Sequence, residues 1–172
     1  MSAEFNITRA MKPAYHFIFE KDWRTAPLAF WVHIPVPGTQ VECNPPAPKE
    51  VPHKGFLFLC VQFEEHELQF SAPAQLDHFI EVLSTTPLPT STRLSLRRGL
   101  PVGPNSHWLS RLPTSIKSPR KRVKLVQLIK AVREQMFTQA SNASIERTSN
   151  GEAQFLALAN AQPPLIASHL KC

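Results

Sequence analysis

The residues of this sequence that could do chemistry are mostly cations, and they are concentrated in one stretch. Between Val82 and Arg133 there is no aspartate or glutamate, although the whole chain carries 13 acidic residues. The same stretch holds eleven of the 19 lysines and arginines, namely Arg93, Arg97, Arg98, Arg111, Lys117, Arg120, Lys121, Arg122, Lys124, Lys130 and Arg133. Such a block attracts phosphate backbones, acidic protein surfaces or anionic lipids. The sequence therefore predicts a polyanionic partner.

A tryptophan lies inside this cationic stretch. Trp108 follows His107 and stands between Arg98 and Arg111. A tryptophan beside phosphate-binding arginines can stack on a nucleic-acid base, but a tryptophan in a long loop can instead fill the space beneath that loop. Both interpretations stay open from the sequence. The predicted nucleic-acid-binding residues are Arg97, Arg98, Trp108, Arg111, Lys117, Arg120, Lys121, Arg122 and Lys124.

Catalytic or metal chemistry has weaker support. Residues 64–67 (EEHE) form a cluster of potential metal ligands, followed by Asp77 and His78, but the same run is typical of an exposed turn between two apolar strands. Cys43, Cys60 and Cys172 are odd in number and widely spaced, which disfavours a disulfide framework or a cysteine zinc site. The sequence has no Gly-x-Ser-x-Gly elbow and no glycine-rich phosphate loop. It therefore predicts no catalytic residue, metal or cofactor, and favours a protein that is not an enzyme.

One short segment resembles a known nucleic-acid-binding signature. Residues 54–61, KGFLFLCV, resemble the RNP1 sequence of RNA-recognition motifs, with matches at Lys54, Gly55, Phe56 and Phe58. Leu59 is a conservative replacement, and Leu57 and Val61 depart from the signature. That family has a helix between its first and second strands, whereas the chain before this segment is rich in proline. We therefore expect Phe58 to lie in an ordinary core strand and to be buried together with Cys60 and Val61.

The basic stretch ends in a predicted long helix. Ser118 is a suitable N-cap, and Pro119 suits the first helical position. An apolar stripe follows at helical spacing, formed by Leu125, Leu128, Ile129, Val132 and Met136. The stripe should face the core and leave Arg120 and Lys124 on the opposite side. The positively polarised start of the helix adds to the attraction for anions.

The other elements follow from periodicity and propensity. Strands are expected at 15–19, 28–34, 56–63 and 67–70, where aromatic and β-branched residues are frequent, and the alternating segment 93–98 could add a fifth. A helix is expected over 73–84, capped by Ser71 or a neighbour, and a single helical turn over 106–112 should bury Trp108 and Leu112. The sequence predicts an α+β fold: a mostly antiparallel sheet of four to five strands with two main helices packed on one face.

The chain is predicted to form one domain and a tail. Residues 1–140 are assigned to the domain, with a proline-rich loop at 35–54 and a basic loop and helix at 85–137. The polar, small residues at the start of 141–172 are typical of a flexible tail, in which residues 153–161 could form a short helix. No stretch reaches the roughly 18 apolar residues of a membrane span, so a cytoplasmic location without membrane contact is expected.

Two functions are compatible with these patterns. The favoured one is a small non-enzymatic protein that binds nucleic acid, DNA or RNA, through the basic surface of residues 93–133. The alternative is an adaptor or inhibitor that docks an acidic protein surface, with the prolines of residues 35–52 as a rigid recognition loop. The choice between DNA and RNA and the oligomeric state stay open.

Overall fold

The computed structural model describes residues 13–39, 42–98 and 107–143, and the predicted tail beyond residue 143 lies outside them. The elements in chain order are β1 (Tyr15–Glu20), α1 (Ala29–Val32), β2 (Ile34–Pro35), β3 (Cys43–Asn44), β4 (Phe56–Phe63), β5 (His66–Phe70), α2 (Pro73–Ser84), α3 (Ser91–Arg97), α4 (Trp108–Arg111), α5 (Thr114–Lys117) and α6 (Pro119–Ala143). A 3-10 turn, Trp23–Thr25, precedes α1. The fold is α+β, as predicted. It has a three-stranded antiparallel sheet and a separate two-stranded antiparallel pair.

Strand β4 is the centre of the main sheet, with β1 and β5 as its two antiparallel neighbours. Its sequence is apolar at consecutive positions because both of its faces are covered. Leu57, Leu59 and Val61 lie in the main core, whereas Phe58 lies in a second cluster on the opposite face. Phe58, Cys60 and Val61 are each 0% exposed, which confirms their predicted burial. Phe58 therefore cannot stack on a nucleic-acid base.

Gly55 precedes β4 in a backbone conformation that glycine adopts without strain. Its φ is +95°, and a Cβ at this position would lie 2.4 Å from the carbonyl oxygen of Glu20. The backbones of Gly55 and Glu20 approach each other at the end of the β1–β4 pairing, where Glu20 stands opposite Phe56. At its other end β4 turns through residues 64–65 into β5, which is the half-exposed edge strand expected from the sequence.

Helices α2 and α6 pack together on one face of the main sheet. Helix α2 has the predicted bounds, and Ala72 is its N-cap. The Ser71 amide donates to the Gln75 side-chain oxygen at 2.9 Å, and the Gln75 amide nitrogen donates to the Ser71 hydroxyl at 2.8 Å. Helix α6 begins at Pro119 as predicted and continues past the expected end at residue 137 to Ala143.

The strand predicted at residues 28–34 is wrong, because most of this segment is the short helix α1. Leu28, Trp31 and Val32 stand at helical spacing and reach the main core, while Ala29 packs into the second cluster. A helical turn can fill two clusters at once, and this packing outweighed the strand propensity of Trp31 and Val32. The main sheet consequently has three strands instead of four to five.

The candidate strand at residues 93–98 is also wrong, because this segment belongs to helix α3. The Thr90 hydroxyl accepts a hydrogen bond from the Arg93 amide at 3.2 Å and so caps the helix start. The alternating sequence RLSLRR indicated a strand, yet the helix buries Ser95 and leaves Leu96 64% exposed. Local alternation was misleading because little of this segment enters the core.

The proline-rich loop contains the β2–β3 pair and is anchored to α1 by His33. The His33 Nδ1–H donates to the Pro45 carbonyl oxygen at 3.0 Å. This bond holds residues 44–46 beside α1, where they form one wall of the cleft described below.

Candidate functional site

The nine predicted site residues are distributed over four helices and differ in exposure. Arg97, Arg111, Arg120 and Lys124 are exposed, and Arg98, Lys117 and Lys121 are half-buried. Trp108 and Arg122 are buried, with 3% and 8% of their surface exposed. The set is therefore not one uniform surface.

Trp108 is a packing residue of helix α4 and not a base-stacking platform. Its ring lies 5.3 Å from the ring of Phe79 at an interplanar angle of 26°, and its edge contacts His78 at 6.0 Å. The helical turn predicted at this place is confirmed as Trp108–Arg111, with Leu109 also buried. Leu112, expected to be buried, is half-exposed.

Arg122 corrects the assignment of charges on α6. It stands at positions i, i+3, i+4 and i+7 with Leu125, Val126 and Ile129, which are all buried. The residue thus belongs to the apolar stripe by spacing, although its side chain is charged. Being 8% exposed, it offers little surface to a phosphate and is left out of the basic surface proposed below.

Two other cations of the basic stretch are paired with acids from distant elements. Lys121 lies 2.6 Å from a Glu64 carboxylate oxygen, and the Arg133 Nε lies 2.6 Å from an Asp77 carboxylate oxygen. The Lys117 ammonium donates to the Ser110 carbonyl oxygen at 3.3 Å, which ties α5 to α4. Three of the predicted nucleic-acid-binding residues in α4 and α6 are exposed and form no ion pair within the described residues: Arg111, Arg120 and Lys124.

A cleft of about 430 Å³ lies between α1, α2, α3 and the loop after β3, and its lining includes no residue of α6. We call it the Arg98 cleft. Its apolar walls include Trp31, Val32, Pro45, Val82 and Leu94. Its polar lining comes from Asp77, His78 and Glu81 on α2, from Arg97 and Arg98, and from His107. Of the predicted site residues, only Arg97 and Arg98 line it.

Among the described residues, Arg98 is held in this cleft by aromatic rings and not by an acid. Its guanidinium carbon lies 4.1 Å from the centre of the Phe30 ring and 5.1 Å from that of Trp31. Its Nε and Nη1 atoms are buried and have no hydrogen-bond partner in the described part of the chain. Burial lowers the pKa of Arg98 from its ordinary value, which is the expected effect of desolvating a cation.

The histidines around the cleft are neutral at pH 7. Burial, together with the nearby His78 and Arg98, lowers the pKa of His107 to about 4. The His107 ring lies 4.4 Å from Trp31, and its Nδ1 accepts a hydrogen bond from the Leu109 amide at 3.1 Å. Burial also lowers the pKa of His78, which Glu81 partly opposes. The His78 Nε2 is buried without a partner among the described residues.

A second group of potential ligands lies on the other face of the main sheet. One ligand atom each of His16, Cys60 and Glu67 lies within 4.8 Å of the others. Strand pairing brings them together, so inspection of the sequence missed them. Burial, together with Glu67 and Glu20, raises the pKa of the Cys60 thiol to about 11. The thiol therefore stays protonated at neutral pH, which makes it unsuited to act as a nucleophile.

The cleft residues outside the basic stretch were also missed by sequence reasoning. Trp31 was placed in a strand, and His78 was considered only with the acidic turn at residues 64–67. The only local signal was the unusual density of aromatic residues and histidines at 30–33 and 107–108.

No helix in the described ranges has both the length and the apolar character needed to cross a membrane. Comparisons with models of known families, with curated proteins and with solved structures found no match, so function must be inferred from geometry.

Proposed function

We propose that this protein binds nucleic acid through a basic surface formed by Arg111 on α4 and by Arg120 and Lys124 on α6. The observation that carries the proposal is that these cations are exposed and unpaired within the described residues, whereas Lys121 and Arg133 are neutralised by acids. Arg120 and Lys124 are four residues apart and share one side of the helix. Lys117 stands between Arg111 and Arg120 in the sequence, and its side chain donates to the Ser110 carbonyl oxygen of α4.

The proposed binding is electrostatic and independent of base sequence. Trp108 and Phe58 are buried, so stacking on bases by either residue does not contribute. Cations that neutralise phosphates release counterions, and three contacts to duplex DNA correspond to a slope of about −2.7 for log K against log salt. Phosphate contacts position a protein on the duplex without specifying sequence. We therefore expect similar affinities for unrelated sequences of equal length.

The experiment is a titration of the full chain with duplex DNA, single-stranded DNA and structured RNA at several salt concentrations. Replacing Arg111, Arg120 and Lys124 together by glutamine should reduce the salt dependence to near zero. The matched control replaces Lys21, Lys49 and Lys54 by glutamine, because these lysines are also exposed but belong to other elements. It changes the net charge equally and should leave the slope nearly unchanged.

Two outcomes would overturn the proposal. One is the absence of binding to all three nucleic acids at low salt. The other is an equal loss of affinity in both triple variants, which would show that net charge alone drives association. An acidic protein partner would then become the better hypothesis for the basic surface.

A further inference from the structure

We propose that the Arg98 cleft binds a small apolar monocarboxylate, with Arg98 holding the carboxylate and the apolar walls enclosing the body of the molecule. This site is separate from the basic surface and goes beyond nucleic-acid binding. It shares no residue with Arg111, Arg120 or Lys124.

The first observation is the missing partner of Arg98. Buried guanidinium nitrogens without acceptors are costly, because they lose hydration and gain no hydrogen bond. The Phe30 and Trp31 rings compensate part of this loss through cation–π contact. No described acid forms an ion pair with Arg98, and Asp77 in the same lining is already paired with Arg133. A carboxylate from a ligand would supply the charge-assisted hydrogen bonds that the described residues do not provide.

The second observation is the size and character of the walls. A volume of about 430 Å³ lies within the usual range of small-molecule sites. Trp31, Val32, Val82 and Leu94 offer apolar surface on several sides. Phe30 and Ile34 continue this surface outward, with 60% and 47% of their area exposed. Such a combination suits a one- or two-ring hydrocarbon body better than a sugar or a nucleotide.

The third observation is the charge balance of the lining, which favours a single negative charge. Asp77 is paired with Arg133, so the remaining charged groups of the lining are Arg97, Arg98 and the exposed Glu81, which sum to about one positive charge. One carboxylate balances this charge, whereas a dianion such as a phosphate monoester exceeds it. His78 and His107 are neutral and add no positive charge that would favour a second negative one. The unpartnered Nε2 of His78 gives a polar group that could orient the ligand.

The test compares three molecules of one shape: 1-naphthylacetate, the neutral 1-naphthylacetamide and the dianionic 1-naphthyl phosphate. Isothermal titration of the full chain should show saturable binding of the acid. The amide should bind about tenfold or more weakly, because it loses the charge-assisted contact with Arg98. The phosphate should also bind more weakly than the acid. Equal affinity for acid and amide, or tighter binding of the phosphate, would overturn the proposal.

Variants locate the site. Arg98→Gln should weaken binding of 1-naphthylacetate about tenfold or more, while Arg93→Gln on the same helix should not, since Arg93 is exposed and outside the lining. Thermal melting checks that both variants fold. If Arg98→Gln fails to fold, Leu94→Trp tests the same cleft by filling it and should abolish binding. Unchanged binding of 1-naphthylacetate in a folded Arg98→Gln or Leu94→Trp variant would refute the site. Both variants should keep the salt dependence of DNA binding, because they lie outside the basic surface.

Discussion

The buried, neutral His107 makes a specific prediction about stability and pH. Its Nδ1 accepts the Leu109 amide hydrogen, so the ring proton must lie on Nε2. Protonation at Nδ1 would set two N–H groups against each other and break the cap of α4. The ring is 2% exposed and is faced by Trp31 from α1, by His78 from α2 and by the Arg98 cation. Burial, His78 and the Arg98 cation disfavour the imidazolium.

The magnitude follows from the pKa of His107, which is about 4 in the folded protein against an ordinary value of 6.5. As pH falls below about 6.5, the unfolded chain takes up the proton first, so the free energy of unfolding decreases. Between about pH 7.5 and about pH 4.5 this group alone removes about 2.5 kcal/mol of stability. The loss is complete only below about pH 4.

The assay is urea denaturation of the wild type and of His107→Asn at these two pH values. Asparagine is a good N-cap and keeps an acceptor for the Leu109 amide, but it does not titrate. The variant loses ring contacts and should be less stable at both pH values. The two proteins differ in the group at position 107, whose lowered pKa already includes the influence of His78, so the wild type should lose about 2.5 kcal/mol more than the variant on acidification. Equal losses in the two proteins would refute the buried neutral state of His107.

Two predictions concern the folding core, and each has a matched control. Gly55→Ala should destabilise the protein by more than about 3 kcal/mol, because strain from the positive φ adds to a clash with the β1 backbone. Gly38→Ala should cost only about 1 kcal/mol, since its φ is also positive but the space around it is open. Phe58→Ala should lower the free energy of unfolding by about 3–5 kcal/mol, and Phe19→Ala by far less, because Phe19 is 39% exposed. Urea denaturation measures all four; a similar cost for the two glycines, or for the two phenylalanines, would contradict these assignments.

The revised basic surface is smaller than the charge count of the sequence implies. Of the cations on the first two turns of α6, Lys121 is paired with Glu64 and Arg122 is buried. An exposed ion pair such as Lys121–Glu64 contributes little to stability. It neutralises the positive charge on the side of α6 where Lys121 lies. The remaining exposed cations, Arg120 and Lys124, therefore define one side on which a polyanion can be contacted.

The sequence by itself determined the elements whose side-chain pattern is strong and local. Strands β1, β4 and β5 and helix α2 were predicted within one or two residues, and the start of α6 was correctly predicted at Pro119. In these segments the period of the apolar residues agrees with the burial that the fold imposes, so local and tertiary preferences coincide.

Only the tertiary structure decided what depends on contacts between distant residues. Segment 28–34 is mostly helical because two clusters on opposite faces of the sheet both take side chains from it. The burial of Arg122 and the pairing of Lys121 with Glu64, in the turn between β4 and β5, follow from the position of α6 in the fold, which no spacing rule contains. The Arg98 cleft likewise assembles α1, α2, α3 and His107 from segments up to 76 residues apart, between Trp31 and His107. A charge pattern fixes the sign of a surface, but the fold decides which charges remain available.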